Sequence, residues 1–299
     1  MAFVARFAMK LARLSLAAGA AGGAISSSAA AQGAAPQAAA AQEAVLAHDT
    51  FTVQSAAVGE PRRINVWTPP GYSAGRTRYP VLYMPDGGVE EDFPHVVATV
   101  DSAVRAGEMR PVIVVGIANT QRRRDMTGPT EVERDRRIAP VVGGSAAFRR
   151  FIATELMPEV RRRYRATDET AIIGESLAGL FVAETFFTQP ELFDTYIALS
   201  PSLYWNGEAL VRTAAEHLRA HPRMRAAFYL SSAGDDIGPE SARLANVLRA
   251  NAPRGLRWEY QPRPDLTHAT IYRAVAPGVL RHMLPPRGGG GVHAHPPRP

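Results

Sequence analysis

Cysteine is absent from all 299 residues. That absence excludes a lipoprotein anchor, a disulfide framework and thiolate chemistry together. Lysine is nearly absent as well: Lys10 is the only one, and the other basic residues are arginines, a compositional bias rather than a functional mark. After the N-terminus no stretch approaches the roughly 18 uninterrupted apolar residues that a membrane-spanning helix needs. A strong charge of one sign is also missing. The formal net charge of +6 falls to +3 when the N-terminal Arg6, Lys10 and Arg13 are set aside. With no basic stripe or stacking motif, that balance leaves no electrostatic footprint for nucleic acid.

Those first residues read as an export signal. Arg6, Lys10 and Arg13 charge the start, Leu14 to Ala24 form a short apolar core, and Ala29-Ala30-Ala31 offers a small-x-small cleavage site. Cleavage after Ala31 would leave 268 of the 299 residues in a protein placed in the periplasm or secreted. Residues 32–47, rich in Ala, Gln and Pro, are expected to be a flexible leader, and residues 285–299, with Gly288 to Gly291, a disordered tail. Between them, residues 48–284 suit one domain with a large core.

In that domain β-rich apolar runs alternate with helical patterns. Strands are predicted near Thr50–Ser55, Arg63–Thr68, Tyr79–Met84, Val112–Ile117, Thr170–Ile173, Tyr196–Ser200, Ala226–Ser231 and Leu256–Gln261. Helices are predicted at Val96–Ala106, Ala146–Tyr164, Leu177–Thr188, Ala209–Ala220, Pro239–Asn251 and Ala269–Met283. The alternation implies an α/β fold, an eight-stranded, mainly parallel sheet covered by helices on both faces. Only Val58-Gly59-Glu60-Pro61 joins the first two strands, too little for a crossover, so they should pair antiparallel at the sheet edge.

The densest chemistry lies at Gly174-Glu175-Ser176-Leu177-Ala178-Gly179, with a strand pattern before it and an apolar helical pattern after it. A strand turning sharply into a helix needs small neighbours, and it pushes the Ser176 hydroxyl out of the sheet at a helix N-terminus, where developing negative charge is favoured. This is a nucleophile-elbow pattern with Ala178 where glycine is usual. A serine nucleophile needs a histidine base and a carboxylate to orient that base. In hydrolases built this way the chain order is serine, acid, histidine. Asp235 and Asp236 end the seventh strand, and Asp236 is favoured, with Asp235 and Glu240 as alternatives. His268 follows the eighth strand in the loop this order requires. The oxyanion needs two fixed N–H donors: Leu177 after the nucleophile, and Gly88, with Gly87 as alternative, in the loop after the third strand. Asp86 is expected to brace that loop. His217 and His221 are spaced i,i+4 without completing a zinc motif, and His293 and His295 read as surface histidines.

Several segments carry a resemblance. Val66-Trp67-Thr68-Pro69-Pro70-Gly71-Tyr72, Tyr79-Pro80-Val81-Leu82-Tyr83-Met84-Pro85-Asp86-Gly87, Arg124-Asp125-Met126-Thr127, the elbow from Ile172 to Phe181, and Ser200-Pro201-Ser202-Leu203-Tyr204-Trp205 follow one another along most of the chain. Together they resemble the esterase branch of the α/β-hydrolases that includes siderophore and feruloyl-type esterases. The resemblance implies the α/β-hydrolase fold, with Ser176 as nucleophile, Asp236 or Asp235 as acid and His268 as base. It further implies an exported serine esterase acting on a small-molecule ester, such as a siderophore or aromatic-acid ester, without metal or organic cofactor. Residues 85–140 and 201–206 should border the pocket, where Tyr204 and Trp205 could stack on an acyl group and Arg124, in the run Arg122-Arg123-Arg124, could meet an anionic substrate. A peptidase or acyltransferase using the same triad, and a catalytically silent binding protein, are the competing readings.

Overall fold

The computed structural model describes residues 45–138, 140–235 and 238–287. The export signal, the leader to residue 44, Asp236, and the tail from residue 288 with His293 and His295 lie outside the described residues. Within them, eight strands form: β1 (Asp49–Ser55), β2 (Glu60–Trp67), β3 (Tyr79–Met84), β4 (Ile113–Ile117), β5 (Ala166–Glu175), β6 (Thr195–Leu199), β7 (Ala227–Ala233) and β8 (Arg257–Arg263). They make one sheet in the order β1-β2-β4-β3-β5-β6-β7-β8. The β1–β2 hairpin pairs Ser55 with Glu60 across its short turn, and β2 runs antiparallel to β4 as well. From β4 to β8 every pairing is parallel.

Parallel strands of this kind must be covered on both faces, and β4, β6 and β7 are buried along their whole length. One face packs against α4 (Ser145–Phe151) and α6 (Leu177–Thr188), with Phe148, Phe181, Phe186 and Phe228 in its core. The other packs against α1 (Phe93–Arg105) and α9 (His268–Met283), with Phe93, Val97, Tyr229 and Ile271 in its core. Among the described residues no helix is long and apolar enough to cross a membrane.

Three departures from the expected elements have local causes. The pattern Ala146–Tyr164 is not one helix: a π turn, Ile152–Leu156, separates α4 from α5 (Met157–Arg163). Pro158 offers no N–H and its ring would meet the carbonyl one turn earlier, so the helix widens ahead of it. β5 begins at Ala166 rather than Thr170, because Asp168 and Glu169 mask a strand that continues through polar residues. Two short helices, α2 (Arg122–Met126) and α3 (Glu133–Ile138), lack the length to display a period. The remaining helices are α7 (Trp205–Ala220), with left-handed Asn206, Gly207 and Glu208 near its start, and α8 (Gly238–Asn251).

Helix α2 is fastened by a buried charge pair. Arg62 on β2 and Asp125 on α2 are both 0% exposed, with Nη1 2.5 Å from Oδ2. The guanidinium also lies over the Phe148 ring, 5.0 Å from its centroid. Planar and weakly hydrated, arginine suits this dry, ring-lined position better than lysine.

Candidate active site

Strand β5 ends beside Ser176, which adopts φ 60°, ψ −120° before α6 begins. Such a conformation costs a non-glycine residue on the order of 1–3 kcal/mol and persists only where its surroundings impose it. Here the main chain is clamped: Ser176 N–H donates to the Leu199 carbonyl at 3.1 Å, and Ser202 N–H donates to the Ser176 carbonyl at 3.0 Å. Gly174 is required by close approach, since a Cβ there would lie 2.6 Å from the Ala178 carbonyl carbon. The elbow therefore accommodates Ala178 because position 174 has no side chain. Ser176 stands at the N-cap position of α6, yet its hydroxyl caps nothing; it points to His268 and is part-exposed.

His268 opens α9. Both Asp235 oxygens accept its main-chain N–H, at 2.9 and 3.0 Å, and Thr267 and Thr270 form a reciprocal capping box around it. Its ring Nε2 lies 2.9 Å from Ser176 Oγ and 3.2 Å from Glu175 Oε1, and Nδ1 lies 3.3 Å from Ser200 Oγ. The side chain is 28% exposed, so the pair meets solvent. The bonds of Asp235 thus anchor the backbone that carries the imidazole. Glu240, the other alternative acid, reaches Arg243 at 3.0 Å.

The register Tyr83↔Ile172 sets the C-terminal ends of β3 and β5 side by side, which brings the loop after Met84 next to the elbow. Asp86 braces that loop, accepting two hydrogen bonds from Arg122, at 2.6 and 2.8 Å, and one from Asn119 at 2.5 Å. Gly87 is committed to structure: its N–H donates to the Ile117 carbonyl at 3.0 Å, and a Cβ would stand 2.2 Å from the Ile117 nitrogen. Gly88 N–H donates to Glu91 Oε2 at 2.6 Å, while Glu91 Oε1 accepts from Asn119 N–H at 3.3 Å. Leu177 is the first residue of α6, where the geometry of a helix offers its N–H no intrahelical acceptor.

The other residues singled out from sequence have structural duties. Trp205 is 6% exposed and its indole N–H donates to the Gly128 carbonyl at 2.9 Å, so it holds the wall of the core. Tyr204 is half-buried under the Arg134 guanidinium, 5.5 Å from the ring centroid. Arg124 is spent on Glu60, at 2.6 Å, and Asp125, at 2.7 Å, and Arg122 on Asp86. The arginine run is thereby used for internal pairing at both ends. Glu175, Ser200 and Glu91 were not singled out: Glu175 and Ser200 stand inside quoted segments that give them no role of their own, and Glu91 reaches the site through a turn with Gly88.

Asp92, beside this loop, has its carboxyl pushed up from 3.8 to about 6, by burial first and then by neighbouring Asp86. A carboxyl that binds its proton more tightly folded than unfolded contributes stability that is present below 3.8 and lost as pH rises through about 6. Asp92→Asn should therefore raise the melting temperature at pH 7.5, with a gain that shrinks as pH falls from 6 to 4. A gain independent of pH would contradict this assignment.

The chain is similar to known proteins in sequence and in fold. The family model described as "Putative esterase" matches residues 55–246. The chain is 28% identical over 238 residues to the ferri-bacillibactin esterase BesA of Bacillus subtilis, covering 70% of this chain and 80% of that one. It is 30% identical over 174 residues to the siderophore triacetylfusarinine C esterase of Aspergillus fumigatus, covering 52% of this chain and 56% of that one. The crystal structure of an IroE-like serine hydrolase from Shewanella oneidensis superposes with a TM-score of 0.71 at 24% identity, over 79% of each chain.

Proposed function

Because this chain belongs to that esterase family, and is a carboxylic ester hydrolase of the α/β-hydrolase fold, we propose that it is an exported serine esterase that opens siderophore esters through Ser176 and His268. The observation that carries the reading is the 2.9 Å contact between His268 Nε2 and the Ser176 hydroxyl at a strained elbow. His268 Nε2 takes the hydroxyl proton as Ser176 Oγ attacks the ester carbonyl, and the tetrahedral oxyanion forms against the Leu177 and Gly88 N–H groups. Collapse expels the alcohol, which receives the proton from Nε2; water then repeats the sequence on the acyl-serine and frees the acid. The acid of the triad is proposed to be Asp236, which follows the residue that anchors the His268 main chain. Export rests on the charged, then apolar, N-terminal pattern, and the substrate class on relatives whose names are those of siderophore esterases.

A fluorophosphonate probe that labels the protein at Ser176, together with hydrolysis of siderophore esters in preference to short-chain p-nitrophenyl esters, is the expected result. Absence of labelling would dismiss the serine mechanism, and indifference to the siderophore backbone would dismiss the substrate class.

Glu91 bears on the same step. Its carboxylate occupies the Gly88 N–H where the oxyanion is proposed to sit, so substrate must displace it. A hydrogen bond to a charged group is worth about 1.5–3 kcal/mol, so Glu91→Ala should raise kcat/KM on neutral esters by about tenfold. Unchanged or reduced kcat/KM would show that the carboxylate only supports the loop.

A further inference from the structure

We propose that the end of the sheet opposite the active site is a docking surface for an anionic phospholipid membrane. The net charge of the chain is modest, but the fold distributes it unevenly. The parallel strands β3 to β8 all begin at this end, so the segments that lead into them are gathered there from distant parts of the sequence. Those segments carry arginine. Arg76 and Arg78 precede β3, Arg223 and Arg225 precede β7, and Arg254 and Arg257 stand at the entry to β8. All six are exposed, and among the described residues none of them forms an ion pair.

The acids that flank β5 are matched by other arginines. Glu169 pairs with Arg110 at 2.5 Å and Arg287 at 2.7 Å, Glu159 with Arg162 and Arg163, both at 2.5 Å, and Asp168 with Arg161 at 3.6 Å. Glu191 adds one exposed carboxylate before β6, against six guanidinium groups. Helix dipoles do not absorb the excess either: they favour a cation within the last turn, but α7 ends at Ala220 and α8 at Asn251, short of Arg223, Arg225, Arg254 and Arg257. The crowding is felt at Arg110, which holds its proton less tightly than usual, through burial first and then, against the pull of Glu169, through repulsion from Arg287 and Arg257. From β3 to β8, four strand spacings of roughly 4.8 Å spread the six over about 19 Å. Guanidinium groups pair well with phosphate oxygens, and an anionic bilayer presents these across a whole surface. A nucleic-acid strand would ask for aromatic rings between the cations, and residues 76–78, 222–225 and 254–257 hold none. Ser176 and Asp86 follow the far ends of β5 and β3, so docking by the basic end leaves the site open to solvent.

The test is co-sedimentation of the protein with vesicles of equal parts phosphatidylcholine and phosphatidylglycerol, beside vesicles of phosphatidylcholine alone. At low ionic strength the mixed vesicles should retain the protein and the neutral ones should not, and retention should fade as added salt shortens the screening length to about 8 Å. Arg223→Gln, Arg225→Gln, Arg254→Gln and Arg257→Gln in one chain should weaken binding by about a hundredfold or more, at about fivefold per arginine, with the melting temperature little changed. Arg134→Gln with Arg212→Gln removes two exposed cations at the active-site end, and should leave binding nearly unaltered. If the fourfold variant does not fold, Arg223→Glu with Arg225→Glu, confined to one loop, asks the same question. Equal retention on both kinds of vesicle, equal loss in the two sets of variants, or capture by heparin but not by vesicles would overturn the proposal. Sedimentation is indifferent to the serine-esterase reading, whose failure is seen separately in Ser176→Ala.

Discussion

Ser176→Ala should lower kcat on any ester substrate by about 10⁶-fold, with KM nearly unchanged. The hydroxyl is the only atom removed, and it is the one 2.9 Å from the base. The clamps on the Ser176 main chain use its N–H and carbonyl, which alanine retains, so the elbow and the Leu177 and Gly88 amides stay in place. What survives should be the contribution of the oxyanion donors and of substrate binding, on the order of 10³-fold over the uncatalysed rate. His268→Asn should fall to a similar residue of activity, and the double variant should be no worse than either single one, because nucleophile and base act as a unit. Steady-state kinetics beside a fluorophosphonate label decides the matter. A loss under tenfold in Ser176→Ala, or label retained in it, would sink the serine mechanism.

Asp125→Ala should destabilise the protein by about 3–5 kcal/mol, the largest effect expected outside the active site. The deletion leaves Arg62 charged and fully buried, still over the Phe148 ring, with Glu60 at 3.1 Å as its remaining carboxylate. It also deprives Arg124 of one of two partners. A domain of this size loses roughly 2–4 °C of melting temperature per kcal/mol, so a fall of about 10 °C is expected in a thermal scan. Arg62→Met combined with Asp125→Leu should recover much of that loss, because it removes both charges from the dry interior together. If the single variant melts within a degree or two of the parent, water reaches the pair and the interior is not as dry as its packing indicates.

Much of this molecule was readable before any coordinate. The eight strands and their order along the chain follow from runs such as Val81-Leu82-Tyr83 and Ile172-Ile173, because a strand buried on both faces needs apolar residues at successive positions. Ser176 and His268 were legible for a related reason: small residues on either side of a serine, and a histidine after the last strand, are demands made by short-range geometry and by chain order. Ala178 departs from the usual glycine and is accommodated, since Gly174 leaves the space its methyl occupies.

Other features had no trace in any local window. The two glycines of the loop after β3 look alike in sequence, yet Gly87 is held by Ile117 on a neighbouring strand while Gly88 meets Glu91. Arg124 looks like a cation awaiting an anion until β2 delivers Glu60 to it. The Ser200 hydroxyl and the His268 ring are 68 residues apart and meet only because β6 lies between β5 and β7. Periodicity and turn chemistry act over a few residues, so they register in the order of amino acids. The partner of a polar group is chosen by which strands become neighbours, and that choice is made when the whole sheet closes its core.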